Sequence, residues 1–155
     1  MEVAVIMEAI IFMGIQGAGK STFFKHCFFN SHIRINLDML KTRHREKIIF
    51  QACLEAKQRF VIDNTNPTLE ARQRYIPLAK ANGFRVIGYY FDVKLEDCKK
   101  RNQRRPGKQV VPIQGILATY KNLILPSWEE GFDVIYSVKN DLNKPFVVEE
   151  WQREI

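Results

Sequence analysis

A chain of 155 residues with 46% hydrophobic content has apolar material for one continuous core and little room for a second catalytic unit, so a single domain over 1–155 is expected. Its 24 Lys and Arg against 17 Asp and Glu leave a formal charge of +7, which favours polyanionic partners without naming one. Cys27, Cys53 and Cys98 are too scattered for a C-x-x-C or zinc pattern, and no apolar stretch reaches membrane-spanning length, so a cytoplasmic protein with reduced thiols and no membrane partner is expected.

The apolar run Ala9-Ile10-Ile11-Phe12-Met13 reads as a buried strand that delivers the chain to Gly14-Ile15-Gln16-Gly17-Ala18-Gly19-Lys20-Ser21-Thr22. This fits the G-x-x-x-x-G-K-[ST] template, with a strand before it and a helix over 22–29 after it. Phe23, Phe24, Cys27 and Phe28 are spaced to pack that helix on a sheet. A short alternating strand is expected over 33–37, with Asp38 at its end, followed by an amphipathic helix over 45–58 that turns Ile48, Ile49, Ala52, Cys53 and Ala56 inward. Phe60-Val61-Ile62 is short and apolar enough for a central parallel strand, and Asp63-Asn64-Thr65-Asn66-Pro67 gathers polar groups at its end.

A third helix over 70–81 stops before Gly83, and a fourth strand covers 84–91. The helix over 95–104 is dense in Lys and Arg until Pro106-Gly107 breaks it. Pro112 suits the start of a helix over 111–125, and a fifth strand covers 132–138. The stretch 145–151 fits an edge strand or a packing tail equally. Strands alternating with helices imply an α/β fold, an open, mainly parallel five-stranded sheet with helices on both faces, with a core over about 9–138 and a C-terminal tail over 139–155.

Ligands in open α/β sheets bind outside the carboxyl ends of the strands, so the chemistry is expected where these polar clusters lie. The amides of the loop, Gly14, Gln16, Gly17, Ala18, Gly19 and Thr22 included, form a cradle for the phosphates of ATP, and Lys20 brings a point charge to the β- and γ-phosphates. The Ser21 hydroxyl is a ligand for Mg²⁺, and Asp63 is placed to hold the metal's water shell. Asp38 is the candidate general base, with helix N-capping as its alternative role. Asn64 and Thr65 offer neutral donors and acceptors to the acceptor hydroxyl. Arg101 and Arg105, four residues apart, suit a lid over the nucleotide, with Arg105 as the catalytic partner of Lys20 and Asp38; a solvated basic helix end is the alternative. Lys41 and Arg43, in the basic run Lys41-Thr42-Arg43-His44-Arg45, flank the acceptor side, where a nucleic-acid phosphate would pass.

Taken in order and spacing, Gly14 to Thr22, Ile35-Asn36-Leu37-Asp38, Ile62-Asp63-Asn64-Thr65-Asn66-Pro67, Phe91-Asp92-Val93, Arg101-Asn102 through Arg105 and Val111-Pro112 resemble the kinase domain of 5′-hydroxyl polynucleotide kinases, most closely that of the polynucleotide kinase-phosphatases. The resemblance runs from Ile10 to Ser137 and implies a P-loop kinase-type sheet that transfers the ATP γ-phosphate to a 5′-OH end of DNA or RNA. By position it makes Lys20 and Ser21 the phosphate and Mg²⁺ ligands, Asp38 the base, Asn64 a substrate-side residue and Arg105 the lid arginine. Two departures are visible: Leu37 stands where the family commonly has Arg, and Lys41 where phage-type members have Arg. No aspartate-nucleophile phosphatase motif is visible, so removal of 3′-phosphates is not expected from this chain, and a separate phosphatase or ligase is the candidate partner of a monomer or weak oligomer. Two other readings share the phosphate loop: a kinase of a small hydroxyl compound such as a nucleoside, sugar or nucleotide-sugar, and a non-catalytic ATP-binding module.

Overall fold

In the computed structural model, which describes residues 7–140 and 146–152, fifteen short elements build one twisted sheet and its covering helices. Residues 1–6, the remainder of the C-terminal tail and the Lys108 side chain lie outside the described residues. The strands are β1 (Glu8–Met13), β2 (Ile33–Ile35), β3 (Phe60–Ile62), β4 (Arg85–Phe91), β5 (Val134–Lys139) and β6 (Val147–Glu150). Their spatial order is β2-β3-β1-β4-β5-β6; the first five run parallel and β6 pairs antiparallel with β5. The five expected strands are present, and the undecided tail supplies a sixth at the edge, with all four of its residues exposed.

β1 alternates its side chains between two cores because both of its faces are covered. Ala9, Ile11 and Met13 meet Phe50, Tyr75 and Ile76, whereas Ile10 and Phe12 meet Phe23, Phe28 and Phe91. The ring of Phe12 lies 5.8 Å from that of Phe23 and 5.1 Å from that of Phe91. These contacts press helix α1 (Lys20–Cys27) onto the sheet and thereby fix the loop that joins β1 to it. Cys27, expected on the packed face, is exposed, while Cys53 and Cys98 are buried; all three are free thiols.

Three expected elements differ. The second strand stops at Ile35 because Asn36 caps a separate short helix, α2 (Leu37–Leu40), by accepting the Met39 N–H at 2.9 Å. Helix α3 (Arg43–Ala56) turns Glu46, Phe50, Cys53 and Leu54 inward, leaving Ile48 50% and Ile49 36% exposed, so of the expected inner stripe only Cys53 is buried. The bulk of Phe50, 5.5 Å from the Phe60 ring and 5.4 Å from that of Tyr75, selects this face. The third expected helix is two, α4 (Leu69–Gln73) and α5 (Ile76–Ala81), broken where Pro77 lacks an N–H and its ring would meet the carbonyl four residues before it. Helices α6 (Leu95–Gln103) and α7 (Ile113–Asn122) and two 3₁₀ turns, Gly107–Gln109 and Trp128–Glu130, complete the fold, with Cys98 and Ile116 packed into the Phe12 side of the core. Among the described residues no helix is long and apolar enough to cross a membrane.

Candidate active site

The carboxyl ends of β1, β2 and β3 open into a cavity of about 330 Å³. The order β2-β3-β1-β4 makes this a switch point: the crossover from β1 runs to β2 on one side, that from the neighbouring β3 runs to β4 on the other, and the loops part between them. Lys20, Ser21, Asp38, Asp63, Asn64 and Arg105 line it together with Gln16, Arg43 and Thr65. Nine of the residues expected at the site therefore meet in one place, although they come from four separate stretches of the chain and span ninety residues of sequence.

On the nucleotide side, the loop is tied to the next strand end by the Gly14 N–H donating to Thr65 O at 3.0 Å, and by Asn66 Nδ2 donating to Phe12 O at 2.7 Å. Gly17 has φ +81 and lies against α6, where a Cβ would sit 2.3 Å from the Cys98 carbonyl oxygen. Only glycine fits both demands. Gly19 caps α1 without a side-chain bond, which leaves the first amides of that helix free to meet an anion. The Lys20 ammonium donates to Gly14 O at 2.9 Å and Ile15 O at 2.8 Å. Burial lowers its pKa from the ordinary 10.5 to about 8; the Asp63 and Asp38 carboxylates work against that fall, and the Arg105 guanidinium adds to it. Both Asp38 and Arg105 are thus close enough to act electrostatically on the phosphate-loop lysine.

Ser21 Oγ donates to Asp63 Oδ2 at 3.3 Å, and Asp63 is 1% exposed. The two oxygens are hard donors of the kind Mg²⁺ takes, in a pair that leaves its other positions to phosphate and water, so the residues present fit that ion. Asp63 Oδ2 also accepts from Arg34 Nε at 2.8 Å, and Arg34 Nη2 donates to Ser21 Oγ at 2.9 Å.

The opposite wall of the cavity rests on a buried carboxylate. Glu46 Oε1 accepts from Tyr75 Oη at 2.9 Å and Arg43 Nη1 at 2.9 Å, and Glu46 Oε2 accepts from Asn64 Nδ2 at 3.0 Å. Asn64 Oδ1 in turn accepts the Leu37 N–H at 2.9 Å, and Asn36 Nδ2 donates to Asp63 O at 2.6 Å. Together these bonds set α2 against the end of β3 and so aim Asp38, in the first turn of that helix, at the cavity. The N-cap of α2 is Asn36, so the capping role considered for Asp38 is not the one it fills. Asn64 spends both ends of its amide on protein partners.

Seven expected residues lie off the cavity wall, the loop residues Gly14, Gly17, Ala18 and Gly19 together with Lys41, Thr22 and Arg101. Lys41 terminates α2 at φ 75 and is exposed, and Thr22 faces solvent on α1. Arg101 donates to Gly17 O at 3.4 Å and Asn140 O at 2.8 Å, beside the phosphate loop. Helix α6 ends before Arg105, which lies one residue past the Arg104 cap and lines the cavity that Arg101 does not. Sequence reasoning missed Arg34, Glu46 and Arg72. Arg72 is fully buried, donates to Asn66 O at 3.0 Å and pairs with Glu130 at 3.1 Å, and also donates to Ile124 O, clamping the Asp63–Pro67 turn to the segment after α7.

Residues 10–123 match the AAA domain family model. The chain is 32% identical over 154 residues to a putative bifunctional polynucleotide phosphatase/kinase of Acanthamoeba polyphaga mimivirus, covering 94% of this chain and 37% of the relative. It is 35% identical over 138 residues to the bifunctional polynucleotide phosphatase/kinase of Schizosaccharomyces pombe, covering 84% of this chain and 33% of the relative. The chain therefore spans about a third of the length of these curated relatives. In three dimensions it is similar to a sugar kinase from Janibacter sp. HTCC2649, with a TM-score of 0.61 and 17% identity over 90% of this chain and 87% of that one.

Proposed function

The chain belongs to the AAA domain family, and from that premise we propose that it is an ATP-dependent, Mg²⁺-requiring kinase that phosphorylates the 5′-hydroxyl ends of DNA or RNA. The observation that carries this reading is the convergence of Asp38, Lys20 and Arg105 on one cavity. Nucleotide binding alone needs the loop and Lys20; a carboxylate on the far wall is what transfer to a hydroxyl adds.

In this mechanism the amides at the start of α1 and the Lys20 ammonium hold the β- and γ-phosphates. Ser21 and Asp63 would hold Mg²⁺, which would supply positive charge against that of the phosphates. Asp38 accepts the proton of the attacking 5′-hydroxyl, and Arg105 spreads positive charge over the oxygens of the phosphoryl group in flight. Arg43, half-exposed at the cavity rim, is suited to the phosphate that follows the terminal nucleoside, and the basic run after it supplies a sequence-independent attraction. The names of the curated relatives join a kinase to a phosphatase, so a phosphatase acting on the same ends is the partner of this proposal.

A kinase of a small hydroxyl compound is the second reading. It is favoured by Leu37, which leaves the residue before Asp38 without a charge for an acceptor phosphate, and by the sugar kinase among the similar folds. Incubation with γ-labelled ATP and, in parallel, 5′-OH oligonucleotides, nucleosides and sugars separates the two. Label on oligonucleotide ends, declining as salt rises through counterion release, supports the polynucleotide reading. Label confined to small acceptors and indifferent to salt assigns the second.

A further inference from the structure

Arg34 is the middle residue of the three-residue strand β2, and its side chain leaves the sheet on the face opposite Ile35, toward α1. There its guanidinium grips both proposed metal-holding groups at once, Asp63 Oδ2 through Nε and Ser21 Oγ through Nη2. The Asp63 side chain is 1% exposed and that of Arg34 29%, so the carboxylate is buried beneath a cation that still reaches solvent. A carboxylate this deep needs a positive partner, and this chain has built one in.

We infer that Arg34 is a resident cation of the phosphate site, which supports nucleotide binding before Mg²⁺ arrives and raises the Mg²⁺ concentration the site requires. The guanidinium supplies fixed positive charge next to Ser21, where the phosphates of a bound nucleotide pass. Mg²⁺ must share Ser21 Oγ and Asp63 with two donors already in place, against the repulsion of a neighbouring positive charge. Arg34 acts through Asp63 and Ser21 and is a positioning residue. The inference rests on the nucleotide-binding half of the proposed function and is indifferent to the acceptor.

Calorimetric titration of ATP into wild type, Arg34→Gln and Arg34→Lys, in EDTA and then across a Mg²⁺ series, tests it. Arg34→Gln is expected to weaken ATP binding in EDTA by roughly tenfold, the scale of one partly screened charge interaction near a surface, and to lower the half-saturating Mg²⁺ concentration. Arg34→Lys keeps the charge but loses the fork, so its affinity in EDTA is held near that of wild type while its Mg²⁺ requirement still falls. If either variant leaves both quantities unchanged, or moves both toward weaker binding, Arg34 is a structural prop and the inference is overturned. A wild type that binds no ATP overturns this inference and the proposed function together. A wild type that binds ATP with the expected Arg34 dependence yet labels no 5′-OH end removes the proposed acceptor and leaves the inference standing.

Discussion

Replacing Glu46 by alanine should loosen the acceptor side of the site while leaving the phosphate loop intact. Glu46 is 4% exposed and accepts three hydrogen bonds, from Tyr75, Arg43 and Asn64, at 2.9, 2.9 and 3.0 Å. Its loss leaves the proton of the Tyr75 hydroxyl, in a residue 3% exposed, without an acceptor, although Arg43 Nη1 still donates to that oxygen at 3.2 Å, and it strands one end of the part-buried Asn64 amide. Each stranded buried group costs about 1–3 kcal/mol, so Glu46→Ala should destabilise the fold by about 2–5 kcal/mol. Tyr75→Phe removes two hydrogen bonds, one to Glu46 and one from Arg43, without stranding the carboxylate, which keeps Arg43 and Asn64, and should cost about 1–2 kcal/mol. The double variant should then be more stable than the sum of the two losses by about 1–2 kcal/mol, because no orphaned hydroxyl remains. Urea unfolding of all four proteins, with equal slopes, measures this. Additivity to within about 0.5 kcal/mol would mean that Glu46 and Tyr75 act independently and that the network is not the unit described here.

ATP affinity should depend on the protonation of Lys20. Its pKa of about 8 in the folded chain lies below the ordinary 10.5, so phosphate binding, which favours the charged form, draws in a proton above pH 8. Affinity should fall by up to roughly tenfold per pH unit there, whereas a flat profile from pH 8 to 10 would refute the burial argument. Below pH 8 the buried charge is carried at full cost, and raising the pH toward 10.5 relieves that cost in the folded state. Gly17→Ala forces a side chain into the Cys98 carbonyl at positive φ; loss of ATP binding with a lowered melting temperature is expected, and normal ATP affinity would contradict it. Arg105→Lys retains charge but not the planar fork, so turnover should drop by about 10²-fold with ATP affinity little changed, as rapid-quench kinetics can show.

The nucleotide half of the site was legible because it is written locally. Gly14 to Thr22 is a contiguous motif, and the turn after β3, the strand next to β1, places Asp63 beside Ser21 at the start of α1. The acceptor half was not, because its organisation is tertiary. Glu46 sits within a run of basic residues and reads as one more surface charge, yet it is the acceptor to which Arg43, Asn64 and Tyr75 all donate. The same misreading exchanged the faces of α3: Ile48, Ile49, Ala52 and Ala56 share one stripe and Glu46, Phe50, Cys53 and Leu54 another, and periodicity alone does not choose between them. Arg34 did carry a usable signal. An arginine next to the buried Ile35 in a strand whose neighbour ends in a carboxylate finds an acidic partner there, and Asp63, at the end of that neighbouring strand, was within reach. Arg72 carried none, since its partner Glu130 lies 58 residues away in a turn that only the fold brings near.

The most direct test is single-turnover transfer from γ-labelled ATP to a 5′-OH oligonucleotide by wild type and Asp38→Asn, each first shown to bind ATP. Wild type should label the end, and the variant should do so slower by about 10²-fold or more with its ATP affinity kept. Equal transfer rates would remove Asp38 from the chemistry, and with it the reason for assigning a hydroxyl acceptor to this cavity.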